Sequence, residues 1–228
     1  SKSGERGIFN RQAAQQQAAK YGRRDSSIDY GTNPCSEIIL RPKQFCNLSE
    51  VVVRAEDTPE TLQRKVELAT ILGTIQSCFT DFKGLSRQWM RNTEEERLLG
   101  VSLTGILDSK MMTNQTNDSL PALLSNLRLT AVSTNRKWSK YLGIEPSAAI
   151  TCVKPSGTVS QLVDAASGIH PRHSSYYIRT VRADKKDPLT KFMTEKGFPV
   201  EDELLKPQSM SVFSFPVKAP KGALTRDK

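Results

Sequence analysis

Residues 33–40, NPCSEIIL, place an amide, a thiol and a carboxylate at alternate positions of the chain. In an extended segment, alternate side chains point to the same face, so Asn33, Cys35 and Glu37 are predicted to form one row. Such a row suits a catalytic thiol with a neighbouring base. A half-buried strand with an incidental cysteine would give the same pattern, and the spacing alone leaves both interpretations open.

A second cysteine, Cys46, follows the turn-like sequence RPKQ and strengthens the catalytic interpretation. Two thiols can exchange electrons, or one can do chemistry while the other supplies reducing equivalents. Cys78 falls in a predicted amphipathic helix and Cys152 in an apolar segment, so we predict that both are packing residues. The sequence has no CxxC pair, and its only histidines are His170 and His173, which argues against a structural zinc site.

The stretch ITCVKPSGTVSQLVDAASG runs from an apolar strand, through a loop at residues 154–160, into a short predicted helix. Gly157 permits close approach of the backbone, and Ser156, Thr158 and Ser160 offer hydroxyls beside free N–H groups at the helix start. Such a loop can hold a phosphate. The Walker A pattern is absent, and an ordinary capped turn is the alternative interpretation.

Composition limits the class of protein. The chain has 228 residues, of which 37% are hydrophobic, and a net charge of +9 that favours anionic partners such as nucleotides. The basic excess is spread along the chain rather than clustered, so we predict no nucleic-acid partner. No apolar run reaches the roughly 18 residues of a membrane span. We find no signal peptide and predict a reducing, cytoplasmic environment for the four cysteines.

The elements that must position these residues alternate along the chain. Helices are predicted over residues 9–21, 57–79 and 119–142, the second capped by Asp57 or Thr58 with Pro59 in its first turn. Apolar side chains recur at helical spacing in the second helix; they are Leu62, Val66, Ala69, Leu72, Ile75 and Phe79. Extended segments are predicted over residues 36–40, 47–53, 100–107, 147–153, 176–181 and 210–217. This alternation indicates an α/β fold with largely parallel strands.

In combination and in order, the motifs NPCSEI, CNLSEV, GVSLTGI and VKPSGTVSQL…SGIHPR resemble the catalytic subunit of ribonucleotide reductase. The likeness is greatest to the monomeric, adenosylcobalamin-dependent class II ribonucleoside-triphosphate reductases, including phage forms. It implies that residues 1–228 form the C-terminal half of a ten-stranded α/β barrel. A central finger loop carrying the radical cysteine would span about 31–47, and a phosphate loop about 154–160. Both ends of the sequence are expected to be cuts through a longer polypeptide.

The resemblance implies a role for each site residue. Cys35 would become the thiyl radical that takes the 3′-hydrogen of the ribose, and Glu37 would accept the proton of the 3′-hydroxyl. Asn33 would hydrogen-bond the ribose hydroxyls, and Cys46 would be one of two reducing thiols. The other implied substrate-binding residues are Pro34, Ser36, Pro155, Ser156, Gly157, Thr158, Val159 and Ser160.

The resemblance also implies partners: a ribonucleoside triphosphate, adenosylcobalamin, an external thioredoxin-like dithiol and the N-terminal half of the same protein. That half would supply the thiol partner of Cys46, so the chain alone is expected to be inactive. The location would be the host cytoplasm if the gene belongs to a phage. His170 and His173 are expected to be solvated loop residues rather than cofactor ligands.

Two other functions stay open. One is a class I large subunit that reduces diphosphates with a radical-generating partner. The other is a non-catalytic nucleotide-binding remnant. The short spacing from Cys35 to Cys46 and the wording KPSGTVSQL favour class II, and the intact set of Asn33, Cys35, Glu37 and Cys46 argues against a remnant.

Overall fold

A computed structural model describes residues 7–20, 22–113 and 119–226. The chain divides into two compact units, Ser1–His170 and Pro171–Lys228. Within the described ranges, no helix combines the length and the apolar character that a membrane crossing requires.

The first unit alternates strands and helices, as predicted. In chain order its elements are α1 (Arg11–Ala19), β1 (Gly31–Thr32), β2 (Ile39–Leu40), β3 (Asn47–Val52), α2 (Pro59–Gln76), α3 (Arg87–Glu96), β4 (Leu99–Thr104), a 3-10 turn (Ile106–Asp108), α4 (Lys110–Thr113), α5 (Ser119–Leu142) and α6 (Thr158–Leu162). The α/β class is confirmed. The helix α3 was not predicted, because its sequence RQWMRNTEEE lacks an apolar repeat.

A parallel sheet lies at the centre of this unit. Strands β3 and β4 pair in parallel from Asn47 opposite Leu99 to Val52 opposite Thr104. The predicted segment 147–153 runs beside β4, where the N–H of Val101 donates to the carbonyl of Ile150 (2.8 Å). Regular pairing there is limited to a single parallel bridge between Val101 and Thr151. The predicted strand is therefore confirmed in position and direction, but not as a regular strand.

Helices α2 and α5 pack on one face of the sheet. The start of α2 is a capping box, in which Thr58 and Thr61 each accept from the other's backbone N–H. Alternate residues of β3 and β4 meet both helices in one buried cluster. Its fully buried members are Val51, Val53, Leu62, Val66, Ala69, Val101, Met112, Leu127 and Ala131.

The second half of α2 differs from the prediction. Leu72 is 66% exposed, and Phe79, which was predicted to belong to the helix but lies beyond its end at Gln76, is 73% exposed. The apolar residues that recur at helical spacing therefore do not all face the core. Small residues face inward instead. A Cβ added to Gly73 would lie 3.4 Å from Leu99, and the Thr74 hydroxyl accepts from the Asn135 amide at 3.0 Å. The close packing of Gly73 and the hydrogen bond of Thr74 therefore determine which side of the second half of α2 faces inward.

The second unit contains β5 (Tyr176–Asp184), α7 (Pro188–Glu195), β6 (Val200–Asp202) and β7 (Met210–Lys218). Its sheet has the order β5-β7-β6, and both pairings are antiparallel. The predicted strands are thus present, but the expectation of largely parallel strands is wrong for this unit. Parallel sheets need both faces covered, whereas Tyr176 and Ile178 of β5 are each 69% exposed.

Candidate functional site

Cys35 lies at the tip of a hairpin, which we call the cysteine hairpin (residues 31–40). Strands β1 and β2 pair antiparallel, with Gly31 opposite Leu40. Between them the chain makes a tight turn, in which the N–H of Ser36 donates to the carbonyl of Asn33 (3.0 Å). The prediction of an extended row is therefore wrong. Pro34 favours a turn at this point, and Ser36 takes a φ of +64°.

The turn separates the three predicted residues. Cys35, Pro34 and Ser36 are exposed at the tip, whereas the side chain of Glu37 is only 2% exposed. The Asn33 side chain caps the turn from inside, because its Oδ1 accepts from the N–H of Ile38 (3.1 Å). The thiol thus faces outward, and the carboxylate is held beneath it.

A buried carboxylate anchors the cysteine hairpin. Glu96, at the end of α3, has a side chain that is 1% exposed and pairs with Arg24 (3.0 Å) and Arg41 (3.1 Å). Gln44 donates to the same carboxylate at 2.7 Å. Arg24 also donates to the carbonyl of Ile39 in β2 at 2.8 Å. These bonds connect α3 to the segments on both sides of the hairpin and fix its base.

The hairpin lies over the face of the sheet that α2 and α5 leave open. Gly100 of β4 marks the contact: an added Cβ would lie 2.4 Å from a Leu48 methyl, 3.1 Å from the Cys152 sulfur and 3.2 Å from Ile38 of the hairpin. A larger residue would therefore force the hairpin or its neighbours to move. Cys152, predicted to be a core residue, is only half-buried and belongs to this face.

Glu37 reaches across this face to the loop of residues 154–160. Its Oε1 lies 3.1 Å from the Lys154 ammonium nitrogen. Burial alone would raise the pKa of Glu37, but interactions of the carboxylate with its own backbone N–H, with the Asn33 side chain and with Lys154 outweigh burial and lower it. Burial opposes the charge of Lys154 as well, yet the bond and charge of Glu37 raise the pKa of Lys154. Both groups are therefore held in their charged forms.

Besides Cys35, two more thiols lie near Glu37, those of Cys46 and Cys152, and both favour the protonated form over the thiolate. Burial, followed by the charge of Glu37, raises the pKa of Cys46, which directly precedes β3. The same two causes raise the pKa of Cys152 to about 12. Both therefore stay protonated at neutral pH. Reduction by hydrogen transfer requires the protonated form, because only a protonated thiol can give a hydrogen atom.

The loop of residues 154–160 has an inner and an outer side. The buried Ser156 donates its hydroxyl to Oε2 of Glu50 (3.1 Å), and the buried Ser160 donates its own to the carbonyls of Ser156 and Gly157. These two predicted phosphate ligands thus form bonds within the protein. The predicted residues on the outer, exposed side are Pro155, Gly157, Thr158 and Val159.

Reasoning from the sequence overlooked Lys154 and Glu50, although both lie within the motifs. Glu50 lies in β3, four positions after Cys46, which directly precedes that strand. A charged residue in a predicted strand and a lysine just before PSGT were the available signals. Burial raises the pKa of Glu50, although Ser156 and Lys154 oppose it.

The histidines take no part in this arrangement. His170 and His173 are both exposed, as predicted, and the His170 ring contacts the carbonyl of Ser167 at 3.2 Å. Over the described ranges, no group of three or more His, Cys, Asp or Glu side chains could hold a metal ion.

Sequence comparison finds relatives along most of the chain. An adenosylcobalamin-dependent ribonucleoside-triphosphate reductase of Lacticaseibacillus paracasei is 29% identical over an alignment of 247 positions, which covers 96% of this chain and 32% of the relative. The enzyme of that name from Euglena gracilis is 29% identical over 93% of this chain and 28% of its own length. No family model matches the chain. The chain spans about a third of the length of the curated relatives it matches.

Structural comparison agrees. The crystal structure of a B12-dependent, class II ribonucleotide reductase matches with a TM-score of 0.67 and 28% identity, covering 83% of this chain and 29% of that one. Sequence and fold thus agree on the same relatives that the motifs indicated. This chain is similar, in sequence and in fold, to a segment of the adenosylcobalamin-dependent ribonucleotide reductases.

Proposed function

We propose that this chain is the part of a ribonucleoside-triphosphate reductase that carries the radical cysteine and the phosphate loop. One observation carries the proposal: the ion pair between Glu37 and Lys154, at 3.1 Å, joins the hairpin bearing Cys35 to the loop bearing Gly157. A thiol, a base and a candidate phosphate loop are thereby connected on one face of the sheet. The names of the relatives support the same reading.

In this proposal the segment is the C-terminal half of a ten-stranded α/β barrel. The cysteine hairpin belongs to a finger loop at about 31–47 inside it, and the phosphate loop spans about 154–160. The N-terminal half of the same protein closes the barrel in the cytoplasm and supplies the second reducing thiol. Burial of the site within the barrel would protect a radical from solvent.

The chemistry follows from the residues. Cys35, as a thiyl radical, takes the 3′-hydrogen of the ribose and returns it at the end. Glu37 accepts the proton of the 3′-hydroxyl through its second oxygen, which is buried and has no hydrogen-bond partner among the residues that the structure describes. The 2′-hydroxyl leaves as water while Cys46 and its partner thiol are oxidised to a disulfide. A thioredoxin-like dithiol then reduces that disulfide.

Adenosylcobalamin, when bound, supplies the radical that is passed to Cys35. The exposure of Cys35 at the hairpin tip fits a radical source that approaches from outside this segment. In this segment the cofactor would lie against the exposed tip, residues 34–36. The nucleotide occupies the space between the tip and the outer side of the phosphate loop, where Asn33, Pro34 and Ser36 face the sugar and Pro155, Gly157, Thr158 and Val159 face the phosphates.

The test is reduction of ribonucleotides by the full-length protein. We expect deoxynucleotide from triphosphates, dependent on adenosylcobalamin and a dithiol. Activity on diphosphates that ignores adenosylcobalamin and needs a second subunit would move the assignment to class I. Nucleotide binding without turnover under both conditions would identify a non-catalytic remnant.

A further inference from the structure

Glu37 uses only one of its two carboxylate oxygens. Oε1 is bonded to Lys154 at 3.1 Å, while Oε2 is buried and has no hydrogen-bond partner in the described structure. An ionised carboxylate with a side-chain exposure of 2% is costly unless a cation compensates it. Lys154 provides that compensation from the loop of residues 154–160, across the face of the sheet.

The charged and titratable groups around this pair come from every neighbouring element. Those electrostatically coupled to Glu37 or Lys154 are Cys35 on the hairpin, Cys46 before β3, Glu50 on β3 and Cys152 after α5. Glu37 also borders a cavity of about 500 Å³ whose lining includes Arg23, Arg24, Arg128 and Arg136. Among the charged and titratable groups near the Glu37 carboxylate, Lys154 is the one that forms a hydrogen bond to it.

We propose that Lys154 is a positioning residue for the reductase reaction. Its ammonium group occupies Oε1 of Glu37, which keeps the carboxylate ionised and leaves Oε2 as the free acceptor for the substrate hydroxyl. This proposal rests on the proposed function, in which Glu37 is the base. Lys154 does not touch the reacting atoms; it acts through Glu37.

The position of Lys154 also links the phosphate loop to the base Glu37. It directly precedes Pro155, Ser156 and Gly157, so a movement of the phosphate loop is transmitted to the base through a single ion pair. A loop held by a nucleotide phosphate would hold Lys154, and with it Glu37, in the geometry described. A nucleoside without phosphates would lack this link. Binding of the phosphates and orientation of the base are therefore coupled.

The experiment uses the full-length protein with Lys154→Gln, the charge-retaining Lys154→Arg, and a matched control. The control is Lys65→Gln, because Lys65 forms an ion pair of the same kind, 2.6 Å from the buried Asp57, away from the site. The carboxyl carbon of Glu37 is followed by NMR titration in protein labelled at the glutamate side chain, and Glu37→Gln assigns its signal. The second readout is the pH profile of kcat/KM.

We expect the apparent pKa of Glu37 to rise in Lys154→Gln, since removing the cation favours the neutral acid. The acidic limb of kcat/KM should move to higher pH by the same amount. Lys154→Arg should restore both readouts towards wild type, and Lys65→Gln should change neither. An unchanged titration in Lys154→Gln, or an equal shift in Lys65→Gln, would overturn the proposal.

The two proposals fail in different ways. If the wild-type protein makes no deoxynucleotide under any condition, the proposed function fails, and the reaction role of Lys154 fails with it. The titration of Glu37 does not depend on turnover and still decides whether Lys154 controls its ionisation. If the wild-type protein is active, but neither the titration of Glu37 nor the pH profile of kcat/KM changes in Lys154→Gln, only the positioning role is contradicted.

Discussion

The hydroxyl of Ser156 lies 3.1 Å from Oε2 of Glu50, so the loop of residues 154–160 is bonded directly to strand β3. The same hydroxyl accepts from the N–H of Ser160 at 3.2 Å, which closes the turn that leads into α6. Oε1 of Glu50 is buried without a hydrogen-bond partner in the described structure. The Glu50 carboxyl thus orients the loop of residues 154–160 through Ser156, while burial disfavours the ionised form of that carboxyl.

This relationship predicts an effect of pH on Glu50. Burial raises its pKa above the ordinary 4.5, so its contribution to stability is full below that value and is lost as pH rises through the raised pKa. Glu50→Gln cannot titrate. We therefore expect the unfolding free energy of wild type, minus that of Glu50→Gln, to fall as pH rises from about 4.5. Urea unfolding over a pH series measures it, and a pH-independent difference would contradict the prediction.

A second prediction concerns the order in which the thiols react. Cys35 is exposed, whereas burial raises the pKa of Cys46 and brings that of Cys152 to about 12. Because the thiolate is the nucleophile, iodoacetamide at neutral pH should modify Cys35 first and Cys152 last. Peptide mass spectrometry over time measures the order. Modification of Cys152 as fast as that of Cys35 would disagree with this geometry.

A third prediction separates the roles of Cys35 and Cys46 in the full-length enzyme. Cys35→Ser should abolish deoxynucleotide formation with little change in substrate affinity, because a hydroxyl is nearly isosteric but cannot serve as the thiyl hydrogen shuttle. Cys46→Ser should spare the earliest radical steps and release damaged nucleotide instead of product. Normal multiple turnover by either variant would contradict the role assigned to the cysteine that it replaces.

A fourth prediction concerns the outer side of the phosphate loop. A Cβ added to Gly157 meets no atom of the described residues within 4 Å, so Gly157→Ala should fold normally and weaken binding only where a ligand approaches. Thr158→Ala should remove about 1.5 to 3 kcal/mol for a bond to a charged phosphate, roughly ten- to a hundredfold in affinity.

The binding measurement is calorimetry with a triphosphate and with the bare nucleoside. Gly7→Ala is the matched control, since an added Cβ there also meets no atom within 4 Å in the part of the chain that the structure describes. The loss should be larger for the triphosphate. Equal losses for the two ligands would mean that the loop does not contact phosphate.

A fifth prediction concerns the anchor of the hairpin. Glu96→Ala leaves Arg24 and Arg41, whose side chains are 7% and 13% exposed, without their shared carboxylate. Breaking a buried pair of this kind costs about 3 to 5 kcal/mol. Glu95→Ala removes a neighbouring carboxylate that is 49% exposed and also pairs with Arg41, and should cost at most about 1 kcal/mol. Urea unfolding of both variants measures the difference; equal, small losses would show that Glu96 is not the anchor.

Local signals in the sequence were enough for most of the elements, although not for helix α3 or for the turn at Cys35. Thr58 and Pro59 mark the start of α2, and the apolar repeat from Leu62 to Ala69 faces the core, because capping and periodicity depend on residues close in the chain. The order of the motifs was likewise enough for the family. The same periodicity was wrong at Leu72, where the packing of Gly73 and the hydrogen bond of Thr74 decide which side of the helix turns inward, and at Phe79, which lies beyond the end of the helix.

The site depended on contacts that no local pattern contains. The sequence predicted a row of Asn33, Cys35 and Glu37, and only the tertiary structure shows a turn that exposes the thiol and buries the carboxylate. The partner of Glu37 is Lys154, 117 positions away. The sequence by itself determined which residues can do the chemistry. The fold decided which of them meet, because a buried carboxylate is stable only where the folded chain brings a cation to it.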